Sequence, residues 1–287
     1  MLAQSFSRLG KALGIRTTPK DMEDFYTKFV TDTLNDRLKN NYSRKDLLQL
    51  LIDMMNDKDD QDGYQNDGST TTMKEIAAQC FLFFLAGFET SLTTMTFALY
   101  QMALDWEIQD KAREELKTVL GKYNGEMTYD SLNELKYMKQ IIDETLRMYP
   151  PVPLVTRTCV EKYKIPGEDI MLDAGTKVVI PIAGLHLDKD YFKYPYTFDP
   201  ERFTEENKKN IPQYSYLPFG EGPRICIGER FGIMQMKVGL ACILKNFKVS
   251  VSYKTIYPIR LQKRSFIPVA EGDLADVDSY DFLKLYC

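Results

Sequence analysis

Cys226 lies inside a ten-residue segment, residues 219–228, with the sequence FGEGPRICIG. Its three glycines and one proline interrupt any regular element through most of the segment. An apolar helical pattern follows from Ile227, so the loop would present one sulfur at a helix N-terminus. The free N–H groups and partial positive charge there favour a thiolate, the form of cysteine that binds metals such as iron. A phosphate-binding glycine loop and a buried structural cysteine stay open as alternatives.

A second segment with chemical potential is AGFETS, residues 86–91, in the middle of a long apolar stretch. Gly87 costs a helix interior about 1 kcal/mol relative to alanine, which indicates close approach of another group. Thr90 supplies a hydroxyl, and Glu89 supplies a carboxylate that either reaches water or is held protonated by burial. One interpretation is a groove with an acid and a hydroxyl placed for proton delivery. The alternative is a kink where two helices cross.

Three charged residues form a third pattern. Glu144 and Arg147 are three positions apart, so they share one face of a predicted helix. Arg202 lies in the sequence PERF, residues 200–203, within an irregular stretch. If Arg202 meets the other two, one buried carboxylate is bracketed by two guanidinium groups. A surface ion pair and an ordinary turn are the alternatives.

The elements that must position these residues follow from hydrophobic periodicity. We predict helices over residues 21–40, 44–55, 72–104, 106–120 and 227–244, and one more that is capped by Ser131 or Asn133 and ends at Tyr149. We predict strands over 152–155, 163–165 and 177–180, with strand-like sequence over 247–269. Residues 56–71 are predicted to form a surface loop, and residues 191–218 to be irregular. This order indicates a mainly α protein with a small, segregated β portion (α+β).

Composition excludes several classes of protein. The 287 residues carry a net charge of −4, so no basic excess indicates nucleic-acid binding. The five cysteines are sparse and form no C-x-x-C pair, which argues against zinc ribbons and iron–sulfur clusters and suits a reducing compartment. The single histidine, His186, argues against histidine-rich metal sites. Residues 1–14 have no signal-peptide pattern, and the apolar run 76–88 is predicted to be a buried helix rather than a membrane span.

Together these segments resemble the cytochrome P-450 family of haem-thiolate monooxygenases. Residues 219–228 match the family's F-x-x-G-x-R-x-C-x-G pattern at every defined position. The A-G-x-x-T, E-x-x-R and P-E-R-F patterns occur in the family's order. The resemblance runs from about residue 21 to the end. The sequences PPVP at 150–153 and MQ at 234–235 are most similar to the microsomal, xenobiotic-metabolising branch, especially its insect members.

The resemblance implies haem b (iron protoporphyrin IX), with the thiolate of Cys226 as the axial iron ligand. It also implies that the remaining haem contacts come from the cysteine loop, the long helix and a residue ten positions after Arg147; these residues are Arg224, Phe219, Gly222, Ala86, Gly87 and Arg157. Arg224 and Arg157 would pair with the propionates, whereas Ala86 and Gly87 would let the long helix approach the distal face.

The resemblance implies that Thr90 and Glu89 are catalytic and deliver protons for oxygen activation. It implies that Glu144, Arg147 and Arg202 form a structural charge triad that holds the coil behind the cysteine loop. His186 is expected to be structural and not a metal ligand.

The function implied is insertion of one atom of O2 into a lipophilic substrate. Electrons from NADPH would come through a reductase flavoprotein, with cytochrome b5 as a second candidate partner. The location implied is the cytosolic face of the endoplasmic reticulum membrane, with membrane association in the full-length protein. The chain is interpreted as a single C-terminal portion of such a domain, residues 1–287, truncated at the N-terminus. A non-catalytic or misfolded haem-binding fragment and a haem-free phosphate-binding protein are the alternatives.

Overall fold

The computed structural model describes residues 18–56, 72–262, 265, 267–271 and 275–279. Residues 1–14, the predicted loop from residue 57 to 71 and Cys287 lie outside these ranges. The chain divides into two compact units, one up to Ala86 and one from Gly87. The long helix α3, Met73–Leu104, contributes to both, and its bounds agree with the predicted 72–104.

The first unit contains α1 (Lys20–Lys39), α2 (Leu47–Asn56) and the first part of α3. Their apolar faces enclose a small core of Val30, Leu34, Leu48, Ile52, Ile76 and Ala77. Helix α2 begins at Leu47, three residues later than predicted, because Asp46 caps it. The Asp46 carboxylate accepts the backbone N–H of Gln49 at 3.0 Å. Arg37 donates two hydrogen bonds to the same carboxylate, at 2.9 and 2.5 Å.

The second unit is built on helices around one core. They are α4 (Trp106–Lys122), α5 (Tyr129–Glu134), α6 (Lys136–Met148), α7 (Ile182–His186) and α8 (Glu229–Asn246). Short 3-10 turns lie at Pro200–Phe203, Asn207–Asn210 and Gly222–Arg224. The core consists of apolar side chains from α3, α4, α6 and α8; among its fully buried members are Met102, Ala112, Met138, Ile141, Ile142 and Leu240.

The predicted cap at Ser131 or Asn133 is wrong. Thr128 caps α5, and its hydroxyl accepts the N–H of Ser131 at 3.1 Å while the Ser131 hydroxyl accepts the N–H of Thr128 at 2.8 Å. Ser131 is therefore the inner partner of a capping box. A second helix, α6, then starts after Leu135, and its first N–H groups are satisfied by Glu115, whose carboxylate accepts from Tyr137 at 2.7 Å and from Met138 at 2.9 Å.

The described strands form three two-stranded antiparallel sheets. Strand β1 (Val155–Thr158) pairs with β4 (Lys177–Ile180), β2 (Tyr163–Lys164) with β3 (Met171–Leu172), and β5 (Phe247–Ser250) with β6 (Asp276–Ser279). The first predicted strand was placed three residues too early, where prolines remove N–H donors from the chain. Among its described residues, the strand-like stretch 247–269 forms a strand over Phe247–Ser250 and an isolated β-bridge at Leu261. The fold class, mainly α with a small β portion, is confirmed.

Helix α3 is only partly buried, which corrects the expectation of an interior helix. Phe97, Ala98, Tyr100 and Met102 are buried near its C-terminal end. Large apolar side chains in its middle are exposed: Leu82, Phe83, Phe84, Leu85, Phe88 and Leu92. By length and composition alone the helix is also long and apolar enough to cross a membrane, a property that core helices of soluble proteins share.

Candidate functional site

The shape of the cysteine loop is set by its glycines. Gly220 and Gly222 have φ values of 76° and 75°, a region that side-chain-bearing residues rarely adopt. Gly220 precedes the 3-10 turn and Gly222 begins it, and the backbone N–H of Cys226 donates to the carbonyl of Phe219 at 2.9 Å. The loop is therefore closed on itself immediately before α8 begins.

The Cys226 side chain is exposed at the start of α8. A β carbon built on Gly228, two residues later, would lie 3.9 Å from its Sγ, so a side chain at this position would begin against the sulfur and glycine leaves that space free. Around it, Ile225, Ile227 and Phe231 are exposed, Ile227 to 89%. An accessible sulfur thus stands in an apolar surface, the environment that suits a flat apolar cofactor.

Arg157 and the cysteine loop meet at one cavity. Arg157 projects from β1 and lines a cavity of about 430 Å³ together with Gly220 and Glu221 of the loop. Arg224 lies in the exposed 3-10 turn of the loop, and Phe219 packs against the main core. The cavity therefore carries a cation beside the loop that presents the sulfur.

Helix α3 crosses α8, the helix that follows Cys226. A β carbon on Gly87 would lie 3.8 Å from the ring of Phe231 and 3.9 Å from Oε1 of Gln235. One turn later, the Ser91 hydroxyl donates to Gln235 Oε1 at 3.4 Å. The face with Gly87 and Ser91 thus contacts α8, and Gln235 is a contributor that the sequence analysis used only as a marker of the branch and not as a site residue.

The two predicted proton-delivery residues lie beside this crossing. Glu89 projects from a different side of α3 than Gly87 and is exposed. Thr90 is half-buried, and its carbonyl accepts the Thr94 hydroxyl at 3.0 Å. Ala86, one turn before Thr90, is exposed.

The structure brings the three charged residues of the predicted triad together. Arg147 donates to both Glu144 oxygens, from Nε at 2.7 Å and from Nη2 at 2.8 Å, and both side chains are fully buried. Arg202 Nε lies 3.4 Å from Glu144 Oε1. The Asp199 backbone N–H also donates to that oxygen, at 2.9 Å. The carboxylate therefore fastens the coil at residues 199–202 to α6.

A family model described as Cytochrome P450 matches residues 4–270 of the chain. The chain belongs to the cytochrome P450 family. Curated relatives from Drosophila melanogaster agree. Probable cytochrome P450 6a23 is 44% identical over 94% of this chain and 53% of its own length, and Cytochrome P450 6a9 is 42% identical over 93% and 53%. The chain thus spans about half the length of the curated relatives it matches, and the insect-like branch is supported.

Membership of the P450 family implies a haem cofactor, and the residues present fit one. The sulfur of Cys226 is accessible, and apolar side chains adjacent to it in sequence are also exposed. Arg157 and Arg224 provide cations for the two carboxylates of a haem. The loop is shaped by glycines at positions where a β carbon would be strained. The donor set of one thiol and two guanidinium groups matches a metal macrocycle with acidic substituents.

The P450 site also contains a buried imidazole. His186 is fully buried at the end of α7, and its Nε2 accepts the backbone N–H of Leu217 at 2.8 Å. Burial lowers the pKa of His186 to about 4, partly opposed by the backbone of Leu146 and Arg147, so its ring is neutral at pH 7. Its ring centroid lies 5.2 Å from that of Tyr216, whose hydroxyl donates to the Asp143 carbonyl at 2.9 Å. Sequence spacing gives no signal for Tyr216 or Asp143, because both bonds join residues far apart in the chain.

Proposed function

We propose that this chain forms the haem-thiolate part of a P450 monooxygenase that inserts one atom of O2 into a lipophilic organic substrate. The observation that carries the proposal is the accessible Cys226 sulfur, which is presented by a closed glycine loop within an apolar surface. Family membership supports it, since the family is built around a thiolate-bound haem.

In this proposal Cys226 is the axial ligand of haem b. Arg157 and Arg224 neutralise the haem propionates, and Phe219 and Gly222 support the macrocycle from the loop. Ala86 and Gly87 give α3 the small side chains that allow close approach. When bound, haem supplies the iron at which O2, two electrons and two protons yield one oxygen atom for the substrate and one molecule of water.

The chain's own residues supply the protons. Glu89 is exposed, so its carboxylate exchanges protons with water. Thr90 follows Glu89 in the sequence and is half-buried. Its hydroxyl is therefore a proton donor in a place from which water is partly excluded. We assign Glu89 to proton uptake and Thr90 to proton delivery at the distal side.

Electrons would come from NADPH through a reductase flavoprotein, with cytochrome b5 as a second candidate donor. The relatives and the exposed apolar middle of α3 support a lipophilic substrate. The resemblance of this chain to the microsomal branch supports a location on the cytosolic face of the endoplasmic reticulum membrane and a role in xenobiotic metabolism.

The test of the cofactor is the spectrum of the reduced CO complex of the haem-loaded chain. A thiolate ligand places its absorption near the wavelength that gives the family its name. We expect Cys226→Ser to abolish that band. Cys242→Ser is the matched control, because Cys242 is an exposed cysteine on α8, the helix that follows the Cys226 loop, and it should leave the band unchanged. A band that survives Cys226→Ser contradicts the assignment.

The test of turnover uses the same haem-loaded chain with a purified reductase and NADPH. Oxygenation of a lipophilic probe that depends on O2 and is lost in Cys226→Ser supports monooxygenase activity. A correct CO band without any oxygenation indicates instead the alternative, a haem-binding fragment that is not catalytic.

A further inference from the structure

His186 connects the buried charge pair to the cysteine loop through the protein backbone. Arg147 Nη1 donates to the His186 carbonyl at 2.9 Å, and the His186 ring accepts the Leu217 N–H at 2.8 Å. Both donors are satisfied by one fully buried residue. His186 is therefore fixed at its backbone by the E-x-x-R helix and holds the coil with its side chain.

From Leu217 the hydrogen-bonded path continues to the cysteine. The Leu217 carbonyl accepts the N–H of Gly220 at 3.1 Å, and the Phe219 carbonyl accepts the N–H of Cys226 at 2.9 Å. Leu217 and Phe219 are two residues apart in the turn that the bond between Leu217 and Gly220 closes, so fixing the first restricts the second. The loop that carries Cys226 is thus tied to α6 by a continuous series of bonds that passes through one imidazole.

We propose that His186 is a positioning residue for Cys226, acting through the backbone N–H of Leu217. The role requires the neutral imidazole, because only an unprotonated Nε2 accepts a hydrogen bond. The geometry provides for this, since the ring is fully buried beside the cationic Arg147, which also disfavours a second positive charge. Nδ1 then carries the proton, and it has no well-aligned partner within the part of the chain that the structure describes.

The buried donor makes the proposal testable by hydrogen–deuterium exchange, which needs no haem. In His186→Phe a ring of similar size remains, but the Leu217 N–H loses its acceptor in a buried position. We expect exchange over residues 215–220 to speed up at least about tenfold, and exchange at residues 221–228 to follow. His186→Gln keeps a neutral acceptor near the position of Nε2 and should retain most of the protection. Unchanged protection in a folded His186→Phe protein overturns the proposal.

A matched control separates this bond from its neighbour. Tyr216→Phe keeps the ring beside His186 and removes the hydroxyl that donates to Asp143. It should weaken protection around residue 216 without freeing residues 221–228. If Tyr216→Phe loosens the cysteine loop as much as His186→Phe does, His186 has no special positioning role and the proposal fails.

If His186→Phe does not fold, the wild-type chain provides the second measurement. Protection at residues 215–228, corrected for the intrinsic pH dependence of exchange, should fall as pH drops from 6.5 to 4, because the opened segment binds a proton on the His186 ring near its ordinary pKa of 6.5, whereas the closed segment binds it only near pH 4. The charged or titratable groups around the ring come from two elements. Arg147, Glu144 and Asp143 lie on α6, and Tyr216, which bonds to Asp143, lies in the coil before the cysteine loop. Because His186→Gln removes only the imidazole and keeps these neighbours, a pH response that persists in His186→Gln contradicts the proposal.

The positioning of Cys226 as a haem ligand rests on the proposed function, and the CO spectrum tests it separately. His186→Phe should lower the fraction of haem-loaded protein with the thiolate band, and His186→Gln should restore it. A full thiolate band in a His186→Phe protein whose loop exchanges freely shows that the anchor does not position the ligand, and overturns the proposal. Absence of the band in the wild type contradicts the proposed function, and the exchange experiment still decides the role of His186.

Discussion

Arg147 and Glu144 form an ion pair in which both side chains are fully buried, with Nε and Nη2 each donating to one carboxylate oxygen. Removing one member of a buried pair leaves an uncompensated charge, which typically costs about 3–5 kcal/mol. We expect Arg147→Ala to lower the free energy of unfolding by about this amount, as measured by urea denaturation, and to reduce haem incorporation.

The exposed pair of Lys122 and Glu134 is the control for that experiment. Their side chains are hydrogen-bonded at 2.7 Å but largely solvated, and such pairs contribute at most about 1 kcal/mol. Lys122→Ala should therefore have little effect. Equal effects of Arg147→Ala and Lys122→Ala would show that burial does not make the charge pair essential.

Helices α3 and α8 approach closely at Gly239, where a β carbon would clash with Sδ of Met95. Alanine improves helix propensity by about 1 kcal/mol, but overpacking of a filled core costs about 1–3 kcal/mol. We expect Gly239→Ala to destabilise the chain in thermal unfolding. Because Met95→Ala removes the clashing sulfur, the same change should become neutral or stabilising in that background.

Gly232 in the same helix is the matched control for this effect, since a β carbon there meets no atom within 4 Å. Gly232→Ala should stabilise the chain by up to about 1 kcal/mol through helix propensity alone. Additive effects of Gly239→Ala and Met95→Ala in the double variant would contradict the steric explanation.

Thr90 is expected to affect the use of electrons and not the binding of haem. Its side chain is half-buried on α3, so Thr90→Ala leaves a small and tolerable space. We expect the variant to bind haem normally and to divert reducing equivalents from NADPH into hydrogen peroxide. The measurement is the ratio of product and peroxide formed to NADPH consumed.

Ser91→Ala is the comparison for Thr90→Ala, because the Ser91 hydroxyl faces Gln235 of α8. It removes a neighbouring hydroxyl without changing the proposed proton-delivery side. Coupling that is equal in parent and Thr90→Ala removes Thr90 from the mechanism, whereas a loss of coupling in both variants assigns the effect to general loosening of the helix.

The features that the sequence predicted well depend on local spacing. The bounds of α3 follow from apolar periodicity. The closed loop at Cys226 follows from its glycines, because certain backbone conformations require glycine. The contact of Glu144 with Arg147 follows because a helix places residues three apart on one face.

The features that it predicted poorly depend on backbone groups or on choices between similar residues. The N–H of Asp199 reaches Glu144 across 55 positions, and a backbone donor leaves no mark in the sequence. Thr128 and Ser131 both have hydroxyls suited to capping, so only the structure shows which is the cap. The exposure of Phe84 and Phe88 could not be predicted, because apolar composition shows that burial is favourable but does not show which other residues cover the side chain.

Acid should destabilise the second unit through His186. Its folded pKa is about 4 and its ordinary value is 6.5, so between these values the unfolded chain binds more protons than the folded one. Stability therefore rises with pH through this window and is lost as pH falls from about 6.5 to 4, by up to about 3 kcal/mol. The measurement is the free energy of unfolding in urea at several pH values.

Burial raises the pKa of Glu144, an effect of opposite sign, so the comparison must be with His186→Gln, in which Glu144 is retained. As pH falls from 6.5 to 4, the free energy of unfolding should decrease more in the wild type than in His186→Gln. An equal decrease in the two proteins would show that His186 is not the titrating group.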